Sequence, residues 1–279
     1  MYNCSERSII LRTQMIRYIF LLFMLITTNI FAKDTPFTVS VSLVSMGMDY
    51  TEYNLDGNFL DSENSSYLEL GGVETSLGYT ISEDLYSSSK IIFNLMIVAG
   101  ETAYNGSYIE SGLPAVSTTL NTIIDKDISY KQSRLLNSEL EISYGIGLGH
   151  RYWERILNVS QVEEYTWYSI RPMLGISTIN EDRLNLGIFI EYQYGFNTKM
   201  SASNLNHTFT LGGADILEVS FPVNYSYSQR VDLFFEATLQ KQMITESDRL
   251  YTGNGDEYWC EPESTAYNSY LKFGIEYDF

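Results

Sequence analysis

The chain has 279 residues, with 17 Lys+Arg against 35 Asp+Glu and a formal charge of −18; 44% of its residues are hydrophobic, 14% aromatic and 19% charged. The charged share is below the roughly 25% of ordinary soluble domains, and 23 Tyr with 14 Phe are too many for a disordered acidic chain. Phosphate contacts need clustered Lys and Arg, which are missing, so a nucleic-acid partner is excluded.

Arg7, Arg12 and Arg17 precede the apolar run Ile19–Ile26, and Ile30-Phe31-Ala32 follows. A basic start, a short apolar centre and a small residue at the cut read as a secretory signal peptide over 1–32, cleaved after Ala32. Met15 is an alternative true start. The apolar run is shorter than the roughly 20 residues a spanning helix requires, and no later stretch approaches that length. Cleavage takes three of 17 basic residues and one of 35 acidic ones, leaving 14 against 34, or about −20. It also takes Cys4 and leaves Cys260 alone, so an internal disulfide is not expected.

From 33 to 279 one domain is expected, and period two dominates it. Ile91, Phe93, Leu95 and Ile97 open the pattern, and Leu140, Ile142, Tyr144, Ile146 and Leu148 alternate with Glu, Ser and Gly. Leu184 to Phe196, Leu217 to Tyr227, Val231 to Leu239 and Leu271 to Phe279 repeat it, with Phe189 as an exception. This is strand alternation. Soluble strands average about 5 or 6 residues, whereas several runs here reach roughly 13, enough to cross a bilayer at a tilt. The positions opposite the apolar ones carry Gly, Ser, Glu, Asn and Gln, as a narrow wet lumen would.

Connections alternate in length. Short ones fall near 81–84, 133–137, 179–183 and 228–230, and long ones cover roughly 51–65, 100–117, 153–164, 199–212 and 247–264. The expected strands are 37–50, 66–80, 85–99, 118–132, 138–152, 165–178, 184–198, 213–227, 231–246 and 266–279. The fold class is therefore all-β: a transmembrane, antiparallel, up-and-down β-barrel of about ten strands, with eight or twelve as alternatives. The strand at 118–132 has the fewest apolar carriers. Pro172 and Pro222 remove ladder donors, which predicts bulges or gaps, and the alternation changes phase around Gly71-Gly72, which predicts a bulge.

The chain ends YLKFGIEYDF, with Leu271, Phe273, Ile275, Tyr277 and Phe279 at every second place. This resembles the terminal strand of small bacterial outer-membrane β-barrel proteins, the group of porin-family and outer-membrane β-barrel domain proteins. The resemblance implies recognition by the barrel-assembly machinery, outer-membrane lipid and lipopolysaccharide as surroundings, and a Gram-negative source. It implies no chemistry and no cofactor.

Catalysis needs a nucleophile or activated water beside a base, and the sequence has two histidines, His150 and His207. Omptins, which are ten-stranded outer-membrane proteases, carry Asp pairs and an Asp–His couple at the rim. His207 has no acid two residues away, and Asp49 stands as a single acid. Lipid-modifying barrels place Ser just after the His, whereas Arg151 and Thr208 follow here. No catalytic site or metal site is therefore expected, and an omptin-like or lipid-modifying rim enzyme ranks last.

If the apolar faces look outward, Lys90, Glu139, Glu141, Arg171, Glu191, Glu218, Glu236, Lys241, Lys272 and Glu276 face the lumen. Such ions should pair, because an unpaired buried charge is costly. The expected function is a structural or surface-interaction barrel plugged by these pairs; the alternative is a narrow cation-preferring porin. Glu52, Asp56, Asp61, Glu63, Asp248, Asp256, Glu257, Glu261 and Glu263 fall in the long connections, where solvated acidic loops are expected to offer an extracellular ligand surface. Gly253-Asn254-Gly255-Asp256-Glu257 has oxygens suited to calcium but lacks the full spacing of a calcium loop.

Overall fold

The computed structural model describes residues 36–54, 56–107, 114–179, 183–205, 207–251 and 258–279. The expected signal segment and its cleavage point lie outside them. Ten long antiparallel strands close on themselves: β1 (Phe37–Tyr53), β2 (Phe59–Glu83), β3 (Ser87–Ser107), β4 (Pro114–Leu135), β5 (Leu140–Asn158), β6 (Gln161–Thr178), β7 (Leu184–Ala202), β9 (Ala214–Ser226), β10 (Val231–Ile244) and β13 (Glu263–Asp278). Pairing runs round the ring in chain order, and β1 joins both β2 and β13, so no stave has a free edge. Short β8 (His207–Thr210) extends one rim beside β7, and β11 (Leu250–Tyr251) pairs with β12 (Tyr258–Trp259).

Closure pairs the main-chain donors and acceptors between strands, and the pleat then sorts side chains by parity. On β1, Ser42, Val44, Met46, Met48 and Tyr50 are buried, while Leu43 between them is 65% exposed. Leu148 (59%) and Phe273 (58%) belong to the same outer belt. An apolar exterior that continues round the barrel far exceeds the few hundred Å² that a monomer exposes to water, and its natural surrounding is hydrocarbon. On β5 the outward series runs Ile142, Tyr144, Ile146, Leu148, His150 and Tyr152, and then reaches Glu154. The Tyr152 hydroxyl donates to Glu164, 2.8 Å away, and marks the edge of the belt. Ten residues tilted at about 40° cover roughly 25 Å.

All ten expected strands are present, but several run further than the sequence suggested. The connection expected at 153–164 is strand for nearly its whole length: β5 and β6 turn at Val159-Ser160, where the Asn158 side chain accepts the Ser160 amide at 2.9 Å. Beyond the belt neither face needs to be greasy, so the period-two signal fades although the ladder continues. The strand with the weakest pattern, β4, spans 22 residues.

Both prolines behave as their missing donor requires. Pairing of β6 with β7 skips Arg171 and Pro172, and pairing of β7 with β9 skips Phe221 and Pro222. β7 thus has a proline-linked gap on each side, and its pairing with β6 shifts register once more between Thr166 and Tyr168. The phase change near Gly71 coincides with register shifts between Met46 and Met48 on β1 and between Asn64 and Leu70 on β2, with Leu68 at φ 78°.

Candidate functional site

The interior changes character along its axis. Near the end where β1 starts and β13 finishes, a cavity of about 380 Å³ is lined by Glu74, Asp127, Lys131, Glu191, Glu218 and Lys272 among others. Phe189, which broke the alternation, faces this cavity beneath the Lys131 ammonium, 4.5 Å from its ring centre. Gly175 makes room for it: a Cβ there would lie 2.2 Å from the Phe189 ring.

Three cations of the wall, Arg151, Arg171 and Lys272, pair with acids on other strands. Lys272 on β13 reaches Glu74 on β2 at 2.9 Å and Glu236 on β10 at 3.0 Å. Arg171 on β6 reaches Asp125 at 2.6 Å and Asp127 at 3.6 Å on β4. Gly149 leaves the space for that guanidinium, since a Cβ would meet its Nε at 2.2 Å. Arg151 donates from Nε to Asp125 at 2.8 Å and from Nη1 to Gln240 at 3.2 Å and Gln242 at 3.1 Å. Because β5 and β10 stand four strands apart, Arg151 braces the lumen from wall to wall. Glu191 and Glu218 oppose each other directly on β7 and β9; each accepts one amide hydrogen bond, from Gln193 at 2.9 Å and Gln240 at 2.8 Å respectively.

Beyond Arg151 the lumen is filled like a soluble core. Met46, Tyr50, Leu70, Val98, Trp153, Tyr165, Trp167 and Ile216 are essentially inaccessible. Trp153 stacks on Tyr165 with ring centres 5.1 Å apart, and the Tyr50 ring meets Trp153 edge-on at 5.4 Å. The Trp153 indole N–H donates to Asn121 at 2.8 Å, so this polar handle is satisfied.

Arg155 caps the aromatic layer, past the edge of the apolar belt. Its guanidinium lies over the Tyr50 ring at 4.5 Å and reaches Glu52 on β1 at 2.9 Å, Glu63 on β2 at 2.8 Å and Glu163 on β6 at 3.0 Å. Tyr50 donates to Glu52 at 2.5 Å, Tyr104 donates to Asp61 at 2.9 Å, and Tyr165 donates to Glu261. Burial works against the Glu63 carboxylate, but the Arg155 charge and hydrogen bonds from Arg155, Thr102 and Asn121 outweigh it and hold its pKa below the ordinary value. The other acids have less support. Burial, then the Glu52 charge, push Asp61 up to about 7 against the pull of Arg155 and Tyr104. Burial, then the charges of Glu52 and Glu163, raise Glu261 well above the usual carboxylate range.

These positions redraw the expected charge map. Lys90, Glu141, Arg171, Glu191, Glu218, Glu236, Lys272 and Glu276 stand on inward parity, and Lys272 with Glu236 form one of the pairs. Lys241 does not: it shares the outward parity of Leu239 and Met243, and its ammonium lies 5.7 Å from the Tyr267 ring centre. Glu139 is exposed in the turn before β5. Of the acids assigned to solvated loops, Glu52, Glu63 and Glu261 are buried in the Arg155 cage, while Asp256 and Glu257 lie outside the described residues. Arg151, Arg155, Asp125 and Asp127 are site residues that the sequence reading missed. The signal for Arg155 was the parity of Arg151 and Trp153 continuing past the expected strand end, and the signal for Asp125 and Asp127 was their place opposite Ile124 and Ile128 in the alternation of β4. Leu271, Phe273 and Ile275 face outward on β13, and Phe279 follows its last residue.

No family model matches the chain, and no curated protein matches it in sequence. Among solved structures, the outer membrane protease OmpT of Escherichia coli superposes with a TM-score of 0.55 at 12% identity, over 89% of this chain and 99% of that one. The transport unit of the autotransporter AIDA-I of Escherichia coli gives 0.46 at 9% identity, over 90% and 93%. The translocator domain of the autotransporter NalP of Neisseria meningitidis gives 0.44 at 9%, over 99% and 97%. The first likeness shows the fold: a closed, ten-stranded antiparallel barrel of the outer-membrane type.

Proposed function

We propose that this protein is an outer-membrane barrel of a Gram-negative bacterium with a structural or surface-interaction role and a lumen closed to solutes. The single observation that carries this reading is the layer of Tyr50, Trp153, Tyr165 and Trp167, buried across the interior beneath Arg155. A pore needs a continuous wet path, and buried apolar rings set across the interior stand in the way of one. The belt around Leu43, Leu148 and Phe273 supports insertion in lipid, with the start of β1 and the end of β13 on the periplasmic side and the Arg155 rim outside. Lipopolysaccharide is then the outer neighbour, and the terminal strand with Leu271, Phe273, Ile275, Tyr277 and Phe279 is the segment offered to the barrel-assembly machinery. A surface partner would meet the acidic rim, where Asp49, Asp248 and Glu263 are exposed.

No catalytic role is proposed. His150 packs against Tyr168 on the outer face and His207 against Phe209. The likeness to a protease is one of fold. Conductance of the purified barrel in planar bilayers tests the closed state: absence of steps in molar KCl supports it. Discrete cation-selective steps would instead favour the narrow pore, for which the acid-rich cavity around Glu191 and Glu218 would be the vestibule.

A further inference from the structure

The segment that leads into β13 reaches across the mouth of the barrel. Glu261 belongs to it, is 7% exposed, and accepts a hydrogen bond from Tyr165 on β6, four strands away round the ring. The same residue is tied to the stretch just after β10: its amide donates to Ser247 Oγ at 2.8 Å, and the Ser247 amide donates to its carbonyl at 3.0 Å. Two distant parts of the rim therefore meet through one buried carboxyl group.

The groups that face this carboxyl are Tyr50 and Glu52 on β1, Arg155 on β5, and Glu163 and Tyr165 on β6; Asp61 and Glu63 on β2 and Tyr104 on β3 complete the cage. Arg155 supplies the positive charge, and it is engaged at ion-pair distance by Glu52, Glu63 and Glu163, not by Glu261. A charged Glu261 would thus sit among like charges, held by a neutral phenol. Burying a carboxylate without its own cation is among the costlier acts in a fold.

We propose that Glu261 is a proton-dependent latch: the neutral carboxyl, accepting from Tyr165, fits the acidic cage and holds the segment before β13 there, whereas loss of its proton leaves a buried charge beside Glu52 and Glu163 and frees the segment from the mouth. Burial, then the charges of Glu52 and Glu163, raise its proton affinity in the latched form against the pull of the Tyr165 hydrogen bond and the Arg155 charge, and Glu163 shifts in the same direction. The sign follows from linkage. A carboxyl with a raised pKa in the closed state stabilises that state fully at low pH and loses the contribution as pH climbs through the raised value. Opening releases one proton from Glu261, so the opening constant rises about tenfold per pH unit within that window.

Amide hydrogen exchange at Ser247 and Glu261 tests the latch, measured on the full chain in detergent micelles between about pH 5 and pH 8 and corrected for intrinsic pH dependence. The expected result is a steep loss of protection at these amides while the β13 amides stay protected, and a flat profile in Glu261→Gln, whose amide keeps the Tyr165 contact without a proton to lose. Equal protection at both ends of the range, or an unchanged slope in Glu261→Gln, overturns the proposal. If that variant does not refold, Glu163→Gln serves instead: removal of one repelling acid should move the opening midpoint, and an unmoved midpoint is equally fatal.

Discussion

Arg155 Nη2 stands 2.8 Å from Glu63 Oε1, although the two residues come from strands three places apart in the barrel wall. Their contact is a chord across the mouth. Arg155 with Glu52 draws a second chord to β1, and Arg151 with Gln240 a third, lower down. A barrel ladder alone couples each strand to its two neighbours; these chords couple opposite walls, and the aromatic layer is packed between them.

Removal of the central cation should therefore cost more than a surface ion pair. Arg155→Ala leaves Glu52, Glu63 and Glu163 buried without their partner, with an expected loss of about 3–5 kcal/mol. Urea unfolding in micelles, read by the mobility difference between folded and unfolded barrel, measures it. Arg155→Ala combined with Glu63→Gln should recover part of the loss, because one stranded charge is gone. A loss below about 1 kcal/mol would mean that the cage is solvated.

Asp61 makes the rim sensitive to pH in a defined direction. Its pKa stands at about 7, raised first by burial and then by the Glu52 charge. Its contribution is present below the ordinary carboxylate value near 4 and is lost as pH rises to about 7. Asp61→Asn keeps an acceptor for Tyr104 and removes the titration. At pH 8 the variant should be more stable than the parent by roughly 1–3 kcal/mol, with the difference vanishing near pH 4.

Glu191 and Glu218 oppose each other on adjacent strands of the lumen wall, and neither forms an ion pair within salt-bridge distance among the described residues. Like charges directly opposite destabilise a sheet. Glu191→Gln should raise the unfolding midpoint in urea, by about 0.2–1 kcal/mol. A decrease would show that the cavity supplies a counter-ion to the pair.

The Gly175–Phe189 fit offers a packing test. A methyl group at 175 collides with the Phe189 ring, so Gly175→Ala should cost roughly 1–3 kcal/mol. Phe189→Leu in the same chain should relieve it, as read by thermal unfolding of the two variants side by side.

The architecture was legible because it is written in parity. Ile146 and Leu148 outward with Gly145 and Gly147 inward require no knowledge of the partner strand: a pleated chain with lipid on one side shows its faces residue by residue. The same rule places Lys241 outside, two residues beyond Leu239 in the series Phe235, Ala237, Leu239; its aliphatic stem and its ring neighbour Tyr267 let it stay there. The hairpin at Val159 was illegible because its outer face meets water and its inner face meets Arg155, so no apolar repeat marks it.

The sequence by itself determined the strand alternation, the outward belt and the even antiparallel count, because each follows from local period and from the need to leave no edge in hydrocarbon. Only the tertiary structure decided that Glu52, Glu63, Glu163 and Glu261 converge on the mouth around Arg155. These residues come from different strands and from a connection far along the chain, and what brings them together is the closure of the ring, which sets distances across the lumen that no local repeat encodes.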